Sequence, residues 1–141
     1  ELMNSGKPIH SISTQLALQE AATSPERAPA ASVPISTGAV RPRIDPKSIG
    51  NVELGREFFI SRGCTGCHMA PGVPGSATVG PNQAHYAVRA KTAGGTLPNT
   101  PANTEKWLTN PPAVKPGTDM PNLGLSPAEI KDLTAFLYSL K

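Results

Sequence analysis

Cys64-Thr65-Gly66-Cys67-His68 is the stretch on which the reading of this 141-residue chain turns. Its two thiols stand three positions apart, about one turn, and an imidazole follows the second thiol directly. Thiols at that separation can each add to one of the two vinyl groups on a porphyrin edge. The residue after the second thiol is then carried under the ring, where its imidazole reaches the metal. The spacing predicts covalent attachment of one haem c through Cys64 and Cys67, with His68 as an iron ligand. Three other readings compete. A thioredoxin-like redox pair calls for a βαβ frame, and no strand pattern precedes Cys64. A structural zinc site calls for four ligands, but there is no second cysteine pair, and His10 and His85 stand at no zinc-site spacing. Chance is the third. A disulfide framework is excluded, because these two close cysteines cannot staple distant segments.

Iron with six ligands needs a second group on the opposite face of the ring, from a distant part of the chain. Met69 is too close to His68 to cross over, and Met3 lies near the N-terminus. Met120 sits in Lys115-Pro116-Gly117-Thr118-Asp119-Met120-Pro121, a stiff proline-bracketed loop that can hold a weak thioether ligand. The plainer reading of Met120 is a gap-filling core side chain. His85 is the alternative ligand, against a surface or supporting role.

Helix signals flank these loops. Asn51 is a cap with Glu53 in the first turn, and Leu54, Phe58 and Phe59 give an apolar face; this helix is expected to reach about Arg62 and stop at Gly63. Thr100 as cap and Pro101 at the first position open a second helix with Trp107 and Leu108. It must end by Pro111-Pro112. Ser126-Pro127-Ala128-Glu129 is a capping box, followed at helical spacing by Ile130, Leu133, Phe136, Leu137 and Leu140. The Gly/Pro-rich connections show no strand alternation. Loops that long need a packing partner of their own. Aromatic residues are only 4% of the chain, too little apolar bulk for an easy core at this size, and a large apolar cofactor would fill the deficit.

Residues 1–50 read as an extended, largely irregular Pro/Ala/Ser-rich extension ahead of a domain at 51–141. Prolines at 25, 29, 34, 42 and 46 interrupt it, and only a weak Ile12-Leu16-Leu18 patch suggests a helical turn or two. By itself such a segment is a disordered linker; ordered, it is expected to lie against partner subunits. The formal charge of +3 comes without a basic run, so the chain carries no footprint for nucleic acid. No apolar stretch approaches the ~20 residues of a membrane span. The chain begins at Glu1 without a signal pattern, which leaves a removed signal, a lipid anchor or an absent transmembrane segment open.

From Gly55 to Lys141 the chain resembles the small class I c-type cytochromes with one haem, above all the cytochrome domain attached to subunit II of haem–copper oxidases. The resemblance rests on Gly55 and Phe59, the Cys64–His68 motif, Gly80-Pro81-Asn82, Arg89, Gly95 to Pro101, Trp107-Leu108, Lys115 to Pro121, and Leu133 to Leu137. It implies an all-α fold of three main helices and long loops around one covalent haem. It further implies that the Pro81 carbonyl holds the free nitrogen of His68, that Arg89 and Thr118 meet the haem propionates, and that Trp107 lies against the haem near Met120. Gly55 would allow a close crossing with the last helix, where Phe59 meets Leu133 and Phe136. Two departures stand out: one extra residue between Phe59 and Cys64 relative to the mitochondrial carrier, and the acid Asp119 where soluble carriers often present lysine.

The function implied is reversible one-electron transfer, with His68 and Met120 as iron ligands and no residue acting as acid, base or nucleophile. The thioether raises the reduction potential, and two fixed ligands leave no open iron site. Residues 51–141 hold eight Lys or Arg against six Asp or Glu, about +2, so strong steering of a diffusing carrier is not expected. The leading expectation is therefore a subunit of a membrane respiratory or photosynthetic complex, such as a haem–copper oxidase or a quinol-oxidising alternative complex III. Its partners would be the other subunits and redox donor and acceptor proteins, on the periplasmic or extracytoplasmic face of the membrane. A soluble periplasmic carrier is the alternative. A haem enzyme or gas sensor would require Met120 to be absent from the iron.

Overall fold

Local signals in the sequence start and stop each helix. Asn51 caps α1 (Val52–Ser61) by accepting from the Leu54 N–H at 3.0 Å, and the helix gives way at Arg62 to Gly63 in the left-handed region, φ 78°. Thr100 caps α2 (Pro101–Thr109) through the Asn103 N–H at 3.2 Å. α2 ends before Pro111 as expected. The same Pro-Pro pair then opens a further one-turn helix, α3 (Pro111–Val114), with Asn110 as its cap. Proline stops one helix and, with its preset φ, starts the next. In α4 (Pro127–Ser139) both halves of the capping box form: the Ser126 N–H donates to Glu129 Oε2 at 2.8 Å, and the Glu129 N–H donates to Ser126 Oγ at 3.3 Å.

The computed structural model describes residues 43–141. The chain divides into two units, Glu1–Val40 and Arg41–Lys141, and the described residues fall in the second. The expectations for the greater part of the extension, including the Ile12-Leu16-Leu18 patch and its contact with partners, lie outside the described residues. Residues 44–50, counted with the extension in the sequence, hold a 3₁₀ turn at Pro46–Ser48, and Ile44 and Ile49 pack on the core. Among the described residues the secondary structure is almost all helical. The exception is one antiparallel pairing of β1 (Lys91–Thr92) with β2 (Leu97–Pro98), in register Lys91 to Pro98 and Thr92 to Leu97. Two residues per strand are too few to show alternation.

α1 and α4 pack through a glycine. A Cβ on Gly55 would stand 1.9 Å from the Asp132 carbonyl oxygen and 2.8 Å from Phe136 Cβ. The Phe59 and Phe136 rings meet beside it at 5.4 Å, tilted by 57°. Leu108, Ile130, Leu133 and Leu137 belong to the same apolar core. The pair is fastened at both ends: the Asn51 N–H donates to Asp132 Oδ1 at 2.8 Å, and Arg62 pairs with Glu129. A second, polar core fixes the loops. Tyr86 Oη lies 2.8 Å from both Thr92 Oγ1 and Thr104 Oγ1, while Asn99 donates to the Tyr86 carbonyl and accepts from Tyr138 Oη, each at 2.8 Å.

Two outcomes follow from the α1–α4 contact. Gly55→Ala forces backbone apart in a packed core, and denaturant unfolding of the haem-loaded protein should show a loss of about 3 kcal/mol. An unchanged midpoint would mean the helices do not cross here. The Ser126 N–H, and then Arg62, hold the Glu129 carboxyl below its ordinary 4.5. A depressed carboxylate contributes stability above its unfolded value and loses it as pH falls through the folded one. The stability gap between wild type and Glu129→Gln should therefore be full at pH 7 and shrink as the pH falls below the ordinary carboxylate value and through the lower folded one; a gap that stays constant with pH would refute the pairing.

Candidate functional site

Directly after α1 the chain makes a 3₁₀ turn at Cys64–Gly66, where the N–H groups of Cys67 and His68 both donate to the Cys64 carbonyl, at 3.1 and 2.8 Å. The segment 80–83 runs alongside. Gly80 N–H donates to the Cys67 carbonyl at 2.8 Å and Gln83 N–H to the Met69 carbonyl at 2.7 Å, bracketing His68. The imidazole lies on Gly80: a Cβ there would sit 2.3 Å from Cε1 and 2.6 Å from Nδ1. His68 Nδ1 is 2.8 Å from the Pro81 carbonyl oxygen. Since a carbonyl only accepts, this contact selects the tautomer with the proton on Nδ1, which leaves the Nε2 lone pair for a metal.

The imidazole forms part of the wall of a cavity of about 490 Å³. Phe59 of α1, Trp107 and Leu108 of α2, and Leu133 and Leu137 of α4 give it an apolar lining. All eight residues singled out in the sequence line it: Cys64, Cys67, His68, Pro81, Arg89, Trp107, Thr118 and Met120. The alternative ligand His85 is exposed, sits at φ 60° and is not in the wall, and neither is Met69. Met3 and His10 lie outside the described residues.

The polar groups of the wall are tied to the loops that carry them. Thr118 Oγ1 accepts from the Met120 N–H at 3.4 Å, closing the loop that presents the thioether. Arg89 donates to the carbonyls of Asn82 and, at 2.9 Å, of Ala84, and its guanidinium lies 5.6 Å from the Tyr86 ring centroid. It braces the loop next to His68 as well as facing the cavity. Burial pushes the Cys64 thiol up to about 11, which disfavours a redox-active thiolate in the chain before haem is attached. Among the described residues no three His, Cys, Asp or Glu side chains gather into a metal-holding group.

Gly80, Gln83, Lys91 and Lys115 were not given roles in the sequence reading, although all four line the cavity. The Gly80-Pro81 dipeptide signals a turn but not the approach of the imidazole to Gly80, which only the folded chain reveals. The position of Gln83 depends on where residues 68, 81 and 89 meet, which no local pattern reports.

An apolar cavity within the size range of cofactor sites, with two thiols, an oriented imidazole and a thioether in its wall, fits a covalently held haem and defines a c-type cytochrome. The chain belongs to the cytochrome c family, whose family model matches residues 52–141. It is similar to cytochrome c oxidase subunit 2 of Bacillus sp. (strain PS3), 34% identical over 90 residues, covering 60% of this chain and 25% of that protein. The same subunit of Alkalihalophilus pseudofirmus (strain ATCC BAA-2126 / JCM 17055 / OF4) is 38% identical over 88 residues, covering 62% of this chain and 25% of that protein. The chain thus spans about a quarter of the length of the curated relatives it matches. Its family and its Cys64–His68 motif make it a carrier of covalently bound haem c, and so a haem-based electron-transfer protein.

Gly80→Ala pushes a methyl group into the imidazole. The variant should yield less low-spin haem protein than wild type, read from the visible spectrum of purified material. A wild-type spectrum and yield would show that Gly80 does not seat His68.

Proposed function

We propose that His68 and Met120 are the two axial ligands of the haem and that the chain passes single electrons as a subunit of a membrane respiratory complex. The observation that carries this reading is the shared cavity, which gathers the hydrogen-bonded imidazole, the thioether and both thiols against one apolar wall. Bound haem supplies the reversible ferric–ferrous couple. The chain supplies the setting. The Pro81 carbonyl keeps the Nδ1 proton of His68 in place and its Nε2 free. The Met120 thioether favours the reduced state. Phe59, Trp107, Leu108, Leu133 and Leu137 exclude water, which disfavours the extra positive charge of the oxidised state. Arg89 and Thr118 are the groups assigned to the propionates.

The subunit-2 relatives support a place beside an oxidase, on the extracytoplasmic face of the membrane, with donor and acceptor proteins as partners. Among the described residues no helix is long and apolar enough to cross a membrane. The extension ahead of the domain is the segment proposed to contact the partner subunits. Size-exclusion chromatography of gently solubilised native membranes tests this: the chain should elute with a larger redox complex. Elution alone would favour the soluble carrier.

Met120→Ala should lower the reduction potential sharply and open the iron to carbon monoxide. In the wild type, oxidised and reduced visible spectra should show a sharp reduced α-band and the weak long-wavelength band of thioether–ferric ligation. An unchanged potential in the variant would remove Met120 from the ligand set.

A further inference from the structure

Gln83 has a polar side chain in a place where packing alone would accept an apolar one. It is 7% exposed, and its amide reaches the hydrogen bond that orients His68. Nε2 lies 2.9 Å from His68 Nδ1 and 3.0 Å from the Pro81 carbonyl oxygen, and Oε1 accepts from Arg89 Nη1 at 3.4 Å. The two ends of an amide are told apart by their partners. The Pro81 carbonyl accepts from Nε2–H and Arg89 donates to Oε1. The protonated Nδ1 of His68 is a second donor beside the NH2 group and forms no bond with it. Turned over, the amide would set its oxygen against the Pro81 carbonyl and its NH2 against the guanidinium. The backbone gives it little freedom, because Gln83 N–H is bonded to the Met69 carbonyl at 2.7 Å.

The Pro81 carbonyl therefore receives two donors, His68 Nδ1–H and Gln83 Nε2–H. An oxygen already engaged by an amide is a poorer acceptor for a second donor. The positive end of the same amide also faces the ring nitrogen directly. Both effects work against transfer of electron density into the imidazole. A hydrogen bond from Nδ1–H normally makes a histidine a more basic ligand, and bonding around the ligands is one of the levers that sets a haem potential.

We propose that Gln83 is a positioning residue for His68: by sharing the Pro81 carbonyl it weakens the Nδ1–H bond, makes Nε2 a poorer electron donor and holds the reduction potential up. The inference rests on the proposed ligation by His68. Gln83 lines the cavity but supplies no iron ligand in this scheme; it acts on the couple through the imidazole. A purely structural amide, there only to satisfy Arg89 and Pro81, would affect stability and leave the couple untouched.

The test uses the full-length, haem-loaded protein and two variants, Gln83→Met, which keeps the length of the side chain without its donors, and Gln83→Leu. The wild-type visible spectrum is read first, since loss of the histidine–methionine signature there would overturn the ligation reading itself. With that signature present, potentiometric titration should show the ferric–ferrous equilibrium of both variants shifted threefold to tenfold toward ferric, a fall of up to about 59 mV for one electron. The His68 Nδ1 proton of the reduced protein should move downfield in the NMR spectrum, with the low-spin visible spectrum kept. An unmoved potential and an unmoved Nδ1 proton, with only the unfolding midpoint lowered, would overturn the proposal. Should one variant fail to load haem, the other carries the same two readouts.

Discussion

The contact of Gly55 with the Asp132 carbonyl sets the frame for everything else in this domain. The two helices can approach closely only because residue 55 lacks a Cβ, which would stand 1.9 Å from that oxygen. The approach brings Phe59 onto Phe136 and places the C-terminal end of α1 against α4. That end matters, since the Cys64–Gly66 turn leaves it within a few residues. The same α4 that receives Gly55 presents Leu133 and Leu137 to the cavity. One backbone approach thus sets the positions of the thiols and of part of the apolar wall together. The ties of Asn51 to Asp132 and of Arg62 to Glu129 stop α1 from sliding or rotating on α4.

The long connections face a different problem, because they have little regular structure with which to satisfy their polar groups. Part of the answer is a buried cluster that joins three loops and helices: Tyr86 to Thr92 and Thr104, and Asn99 to Tyr86 and Tyr138. Among the described residues no buried side-chain nitrogen or oxygen lacks a partner. Such a cluster is stable only when complete, since each lost member leaves another unsatisfied at about 1–3 kcal/mol. Its value to function lies in rigidity. Electron transfer is easiest when the site has the same geometry in both oxidation states, and a loop that cannot relax keeps Gln83, Arg89 and Lys91 where they are.

What the sequence made legible was local. Caps at Asn51, Thr100 and Ser126 announce their helices within three residues, and each cap bond is present. The Cys64–His68 motif and the proline-bracketed Met120 loop point to one cavity because their chemistry requires a common cofactor. The one-turn helix α3 was hidden, because a Pro-Pro pair reads first as a stop. The β1–β2 pairing was too short to leave a period. Ile44 and Ile49 fall with the extension because Pro42 and Pro46 interrupt any pattern there. The role of Gln83 was not legible at all: it arises from four residues, 68, 81, 83 and 89, that meet only once the loop has closed on the imidazole.

Charge then bears on how electrons reach the site. Of the cavity-lining groups, Arg89, Lys91 and Lys115 are cationic and Asp119 is anionic. The two carboxylates of a haem would meet that excess of positive charge and largely cancel it. Over residues 51–141 the balance of eight basic against six acidic side chains leaves little field beyond this. Encounter with a partner is then governed by short-range fit more than by long-range attraction. Val79, 77% exposed, and Leu123 belong to the same lining and give the surface an apolar component. A weakly steered, partly apolar contact works slowly between freely diffusing proteins. It works well where tethering keeps the partner at high effective concentration, which is the condition the proposed membrane complex would supply.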